Sequence, residues 1–296
     1  MNPPLRRAAL PRTRLGECPR PDAATATLSW VDLVAGRLWR ADARPDADEP
    51  LGAPVLLAEF PGETGCAVRA GDGADWLVAL GGAIVHWRPG TPPAAAPVVA
   101  QVEADPGPAR LNDGAVDPHG RLWVGSIGHR RPLEPVARLH RLGPDGTPAV
   151  LLDGMLAANG IGWSPDGTRA YVVDTGRRLV HRLRTDPSDP AAPPRPDGPP
   201  LPVPQGAPDG LAVDHEGCLW VALWDAAAVV RLAPDGTELR RVELPCSRPT
   251  ACAFVGPHLV ITTATVAGED ASGWTYTLDV GVGGPAARRA VLPAGG

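Results

Sequence analysis

The sequence contains no lysine: all 28 of its basic residues are arginine. That absence excludes Schiff-base catalysis, a phosphate-loop lysine and a kinase-type lysine. Amides are nearly as scarce, with asparagine only at 2, 112 and 159 and glutamine only at 101 and 205. No apolar run approaches the roughly 20 residues that span a bilayer, so no membrane association is expected. The basic start, Met1-Asn2-Pro3-Pro4-Leu5-Arg6-Arg7, leads into no apolar stretch of about 7–15 residues, so no secretory leader is expected. A net charge of −5, scattered along the chain, leaves no basic stripe for nucleic acid. No G-x-S-x-G string is present, so the nucleophile elbow of an α/β-hydrolase is missing. The five cysteines, Cys18, Cys66, Cys218, Cys246 and Cys252, are odd in number and form no C-x-x-C pair. They are read as reduced thiols, mostly packed as small hydrophobes in a cytoplasmic protein, with Cys18 structural.

What is present is a repeat. The 35 glycines and 37 prolines are spread between short apolar runs, a punctuation that means many strands and turns. The strings Asp117-Pro-His-Gly-Arg-Leu-Trp123, Ser164-Pro-Asp-Gly-Thr-Arg-Ala-Tyr171 and Asp214-His-Glu-Gly-Cys-Leu-Trp220 each join a polar turn to a strand that opens on an aromatic. Weaker copies place anchors at Trp30, Leu77 and Val260, so the six anchors are 47, 46, 48, 49 and 40 residues apart. A second alternating strand follows most anchors, as in Arg37-Leu-Trp-Arg-Ala-Asp42 and Ala228-Val-Val-Arg-Leu232. Six periods of this length, each with about four short strands, predict an all-β, six-bladed β-propeller. The domain is expected over 15–296 after an N-terminal extension, 1–14. The proline-rich stretch 187–204 is read as a surface-loop insertion, because the repeat resumes after it. Trp30, Trp39, Trp87, Trp123, Trp163 and Trp220 are assigned to the core between blades. His86, His140 and His181 fall in the outer-strand phase and are expected to face solvent.

Counting back 11–13 residues from four anchors gives Glu17, Asn112, Asn159 and Asp209. Each therefore opens the innermost strand of its blade, and equivalent positions in a ring converge on its axis. Any one of them alone reads equally well as a turn former. Their shared phase separates them from Pro144-Asp-Gly146, Pro165-Asp-Gly167 and Pro234-Asp-Gly236, which are read as turns. Carboxylate and amide oxygens gathered at an axis need a compensating cation. Two carboxylates and an amide make a hard oxygen set suited to one divalent cation, calcium before magnesium or manganese, with zinc a further candidate. Asp32, Asp117, Asp174 and Asp214 also recur, and are read as bonding to loop backbone.

Leu15-Gly-Glu-Cys-Pro19, Arg110-Leu-Asn-Asp-Gly114, Asn159-Gly-Ile-Gly-Trp163 and Pro208-Asp-Gly-Leu-Ala-Val-Asp214, in this order and register, resemble the SMP-30/gluconolactonase family. That family includes regucalcin and luciferin-regenerating enzyme. The resemblance implies a divalent-metal-dependent lactonase acting on a sugar lactone, with Glu17, Asn159 and Asp209 as metal ligands. It also implies substrate contacts from Arg110 and Asn112 and a general acid/base in Asp209. A non-catalytic, calcium- or small-molecule-binding propeller is the alternative. The chain departs from the family at Cys18, where glycine is usual, and at Pro21, where an aromatic is usual. It also carries Gly128-His129-Arg130 where some sugar-lactone members have acidic residues. Those basic residues either favour an acidic lactone or face solvent. Monomer and homodimer are both compatible with the dispersed charge.

Overall fold

A computed structural model describes residues 4–105 and 107–293. Residues 1–3 and 294–296 of the expected extension and domain, Asn2 among them, lie outside the described residues. The chain folds as a six-bladed β-propeller, with six antiparallel sheets arranged round an axis. The only helical turn among the described residues is the 3-10 segment Pro93–Ala95. The innermost strands are Gly16–Asp22, Thr64–Ala70, Ala109–Val116, Ala158–Trp163, Pro208–Val213 and Pro249–Val255, in blades 1 to 6. Each lies beside the next, and the first lies beside the last, which closes the ring.

Blade 6 takes its outermost strand from the opposite end of the chain: Arg6–Arg7 pairs antiparallel with Tyr276 and Thr277. The proline-rich stretch supplies the outer edge of blade 4, in two short pieces. Arg195–Pro196 and Leu201–Pro202 both pair with Leu179–Arg184. Proline has no N–H to give a ladder, so an outer edge is where such a sequence can still join a sheet. Residues 281–293 then cross the far face of the ring. Their backbone bonds reach His215, Pro21, Arg69, Gly71 and Gly120, which belong to blades 5, 1, 2 and 3.

The strand register corrects one of the six anchors. Trp123 pairs with Ala115, Tyr171 with Gly162 and Trp220 with Ala212. At the same level Leu77 pairs with Val68 and Ser29 with Arg20, so Ser29, not Trp30, is the blade 1 equivalent. Trp30 lies on the opposite strand face with Leu28, and both pack against Val255 and Val260 of blade 6. Leu28, Trp76, Trp123, Tyr171 and Trp220 are all at most 1% exposed and fill the seams between blades. Trp123 meets Trp163 of the next blade edge-on at 5.3 Å, and Trp220 meets Phe254 at 6.0 Å.

The recurring aspartates bond as their turn strings predict. Asp117 accepts from the backbone N–H of His119 and Arg121, and Asp214 from those of Glu216 and Cys218, each at 2.9 Å. The second carboxylate oxygen takes the indole N–H of Trp123 or Trp220, each at 3.0 Å. The turn is thereby fastened to the aromatic that anchors the blade. The histidines depart from expectation. His86 is 8% exposed and bonds Asp75, while His140 is 3% exposed and bonds Glu103. His181 is half-buried. The third strand of a blade is still covered by its neighbour, so its side chains are not a solvent face.

Asp214 is fully buried and also pairs with Arg231 at 2.7 Å. Asp214→Ala leaves the Trp220 N–H without its acceptor and Arg231 with Glu216 alone, and is expected to cost about 3 kcal/mol. Urea unfolding of the variant beside Asp214→Asn, which keeps one acceptor oxygen, measures the difference.

Candidate functional site

All six innermost strands break register at one level. The irregularities lie between Glu17 and Arg20, Thr64 and Ala67, Leu111 and Gly114, Ala158 and Ile161, Pro208 and Leu211, and Pro249 and Ala251. A bulge frees residues from the ladder and re-aims their side chains. Glu17, Asn112, Asn159 and Asp209 all sit at this ring of bulges. Measured from Ser29, Trp123, Tyr171 and Trp220 they lie 12, 11, 12 and 11 residues back, a tighter phase than Trp30 allows. Blades 2 and 6 place Gly65 and Thr250 at the same level. A Cβ on Gly65 would lie 2.5 Å from the Asn112 carbonyl oxygen, so blade 2 has no room for a side chain here.

Glu17, Asn112, Asn159 and Asp209 are all buried, at 5–7% exposure. Asn159 donates its amide N–H to Asp209 Oδ1 and to Thr175 Oγ1. Its own oxygen, Oδ1, has no partner, and neither does Glu17 Oε2. Asn112 accepts from Arg110 Nη1 at 3.0 Å and donates to the Ala158 carbonyl at 3.2 Å. Arg110 is thus held against Asn112, and it pairs with Glu63 at 2.8 Å.

Charge at this ring is under-compensated. Burial pushes the Glu17 carboxyl well above the usual carboxylate range, and the charges of Asp209 and Asp113 push it further, against a smaller pull from Arg110. Burial, with Asp113, raises Asp209 likewise, opposed by the Asn159 bond. Burial lowers the Arg110 guanidinium, with Glu63 and Glu17 acting in the other direction. Among the described residues no three His, Cys, Asp or Glu side chains converge as a metal cluster. The set at the axis is two carboxylates and an amide, and its orphaned oxygens, Glu17 Oε2 and Asn159 Oδ1, are what a hard cation would satisfy. The residues therefore fit a divalent cation.

Sequence reasoning missed Asp113, Arg20, Glu63 and Thr175. Asp113 follows Asn112, and strict alternation would send it to the opposite face. The bulge lets both neighbours turn inward. Asp113 is 5% exposed and accepts from Cys18 Sγ at 2.5 Å and from Arg20 Nη2 at 2.8 Å. Cys18 itself has φ of 50°, the left-handed region where glycine is at ease. Its thiol contact with Asp113 accompanies that strained backbone. Glu63 and Thr175 come from loops outside the repeat phase and carry no periodic signal.

Residues 15–265 match the family model described as SMP-30/Gluconolactonase/LRE-like region. The chain is 32% identical over 272 residues to 6-deoxy-6-sulfogluconolactonase of Pseudomonas putida, covering 88% of this chain and 85% of that protein. A solved luciferin-regenerating enzyme superposes with a TM-score of 0.86 at 25% identity, covering 98% of this chain and all of that one. Regucalcin of Agrobacterium tumefaciens, described as a calcium-binding protein, gives 0.77 at 26% identity, covering 96% of this chain and 95% of that one.

Because the folded carboxyls hold protons more tightly than the unfolded ones, chelator-treated protein is expected to lose stability as pH rises through and above the ordinary carboxylate range. Asp209→Asn removes one of the two charges, so it should flatten that slope and raise the melting point in chelator at neutral pH. Calcium should stabilise the wild type and not the variant, by about 2.7 kcal/mol when present at a hundredfold excess over its Kd. Thermal unfolding across pH, with and without calcium, measures all three effects.

Proposed function

The chain belongs to the SMP-30/gluconolactonase/LRE-like family, and we propose that it hydrolyses a sugar lactone at this axial site with the help of one divalent cation. The observation that carries the reading is the pair of buried carboxylates beside two orphaned oxygens, Glu17 Oε2 and Asn159 Oδ1. Similarity to a sulfogluconolactonase supports the substrate class, and similarity to a calcium-binding protein supports the cation. Glu17, Asn159 and Asp209 would hold the ion. When bound, it would polarise the ester carbonyl and favour the charge that develops on its oxygen.

The remaining steps belong to the chain's own groups. Arg110 and Asn112, fixed to each other, offer N–H donors and an amide to the hydroxyl and carbonyl oxygens of the sugar. Asp209 takes a proton from the attacking water as its oxygen bonds to the carbonyl carbon. The ring C–O bond then breaks, and the same proton passes to the departing ring oxygen, giving the open hydroxy acid. The desolvation that raises the Asp209 pKa suits it to both halves of that exchange. Five free, buried cysteines suit a reducing, cytoplasmic setting. No helix among the described residues is long and apolar enough to cross a membrane.

Steady-state hydrolysis of a panel of aldonolactones tests the proposal. Turnover is expected to require a divalent cation. Asp209→Ala should lower kcat by at least about 10²-fold. Arg110→Leu should act mainly on KM, because it removes a contact to the bound sugar. Saturable calcium binding with no turnover of any lactone would instead place the protein among non-catalytic binders.

A further inference from the structure

At the far end of the same channel lies a separate cavity of about 110 Å³. Its wall is the lower part of the innermost strands, and the chain segment Pro285-Ala-Ala-Arg-Arg289 forms its floor. A water molecule needs only roughly 10–15 Å³ by this measure, so a phosphate-sized ion fits with water around it.

The charges bordering this cavity do not balance. Arg20, Arg69, Arg288 and Arg289 line it with a single carboxylate, Asp22. Asp22 is shared between Arg69 at 3.3 Å and Arg289 at 2.7 Å. Arg20 finds its carboxylate in Asp113, which lies outside the lining. Arg288 is half-buried and has no ion pair among the described residues. The carboxylate acting on it is Asp117, which is already bound to Arg121 at 2.7 Å. With Arg121 counted, five guanidiniums face three carboxylates, Asp22, Asp113 and Asp117.

We propose that this cavity is a second ligand site, distinct from the lactone site, which takes one small oxyanion of the phosphate, sulfate or carboxylate kind against the Arg288 guanidinium. Arg288 supplies the unpaired charge from the chain segment that lines the cavity. Arg20 and Arg69 add positive charge from the strands around it, and a guanidinium with no carboxylate of its own is an ordinary means of holding an oxyanion.

Isothermal titration of the full-length, divalent-free protein with inorganic phosphate, sulfate and acetate, at matched ionic strength, tests the site without reference to lactone turnover. Saturable one-to-one binding of at least one of the three is expected, and the ranking tells an inorganic ion from a carboxylate. Arg288→Gln should weaken it at least tenfold. Arg288→Lys, which keeps the charge, should weaken it less than Arg288→Gln does. No saturable binding of any of the three anions, or affinity unchanged in Arg288→Gln, overturns the proposal.

Discussion

Two carboxylates, Glu17 and Asp209, are buried where each feels the other's charge, and the axis of the propeller is organised round that repulsion. Stability alone would put apolar side chains at such positions, because the effective cost of burying an ion is several kcal/mol. The chain accepts the cost in blades 1 and 5, and sets the amides of Asn112 and Asn159 at the same level. The ring brings these residues together although they are far apart in sequence. The bulge shared by all six innermost strands is the local device. It breaks alternation at the mouth of the channel, so a strand that is otherwise a hydrophobic seam turns a polar group inward.

That device also sets what was legible beforehand. The repeat period and its Asp-turn-Trp strings gave blade number and strand order, because a turn fastened to an aromatic leaves the same mark in each copy. The four axial residues were legible for the same reason, although the phase was blurred by taking Trp30 for Ser29. Asp113 was not legible. It stands beside Asn112 in the most telling string of the chain, yet alternation assigns it to the other face, and no periodic rule announces a bulge. His140 and Glu103 form a buried pair from a third strand and a connecting segment, and nothing local signals that contact. The crossing of the far face by residues 281–293 likewise rests on backbone bonds to four blades, which carry no side-chain signature.

The absence of lysine acquires structural meaning in this setting. Arg231 reaches Asp214 and Glu216 with one side chain, and Arg69 lies 4.8 Å over the ring of Trp76 while bonding Asp22. A planar guanidinium with five donors can do both at once, whereas a lysine ammonium is a single point of charge. The seams between blades use arginine as a flat, multidentate filler as much as a charge.

Arg20 carries that property to the centre of the molecule. Its Nη2 holds Asp113 and the Gly114 carbonyl at 2.8 and 2.6 Å, whereas its Nε has no acceptor and the side chain borders the lower cavity. Asp113 in turn presses on Glu17 and Asp209. One guanidinium therefore stands between the acidic ring at one end of the channel and the cationic cavity at the other. An anion below would draw on the positive charge that now offsets Asp113. The ring above would become more negative and hold a cation more firmly. By linkage the effect runs both ways, so a cation at the ring would favour an anion in the cavity by the same free energy. The two ends of the channel carry opposite charge imbalances, and Arg20 is the side chain that bonds Asp113 above and borders the cavity below.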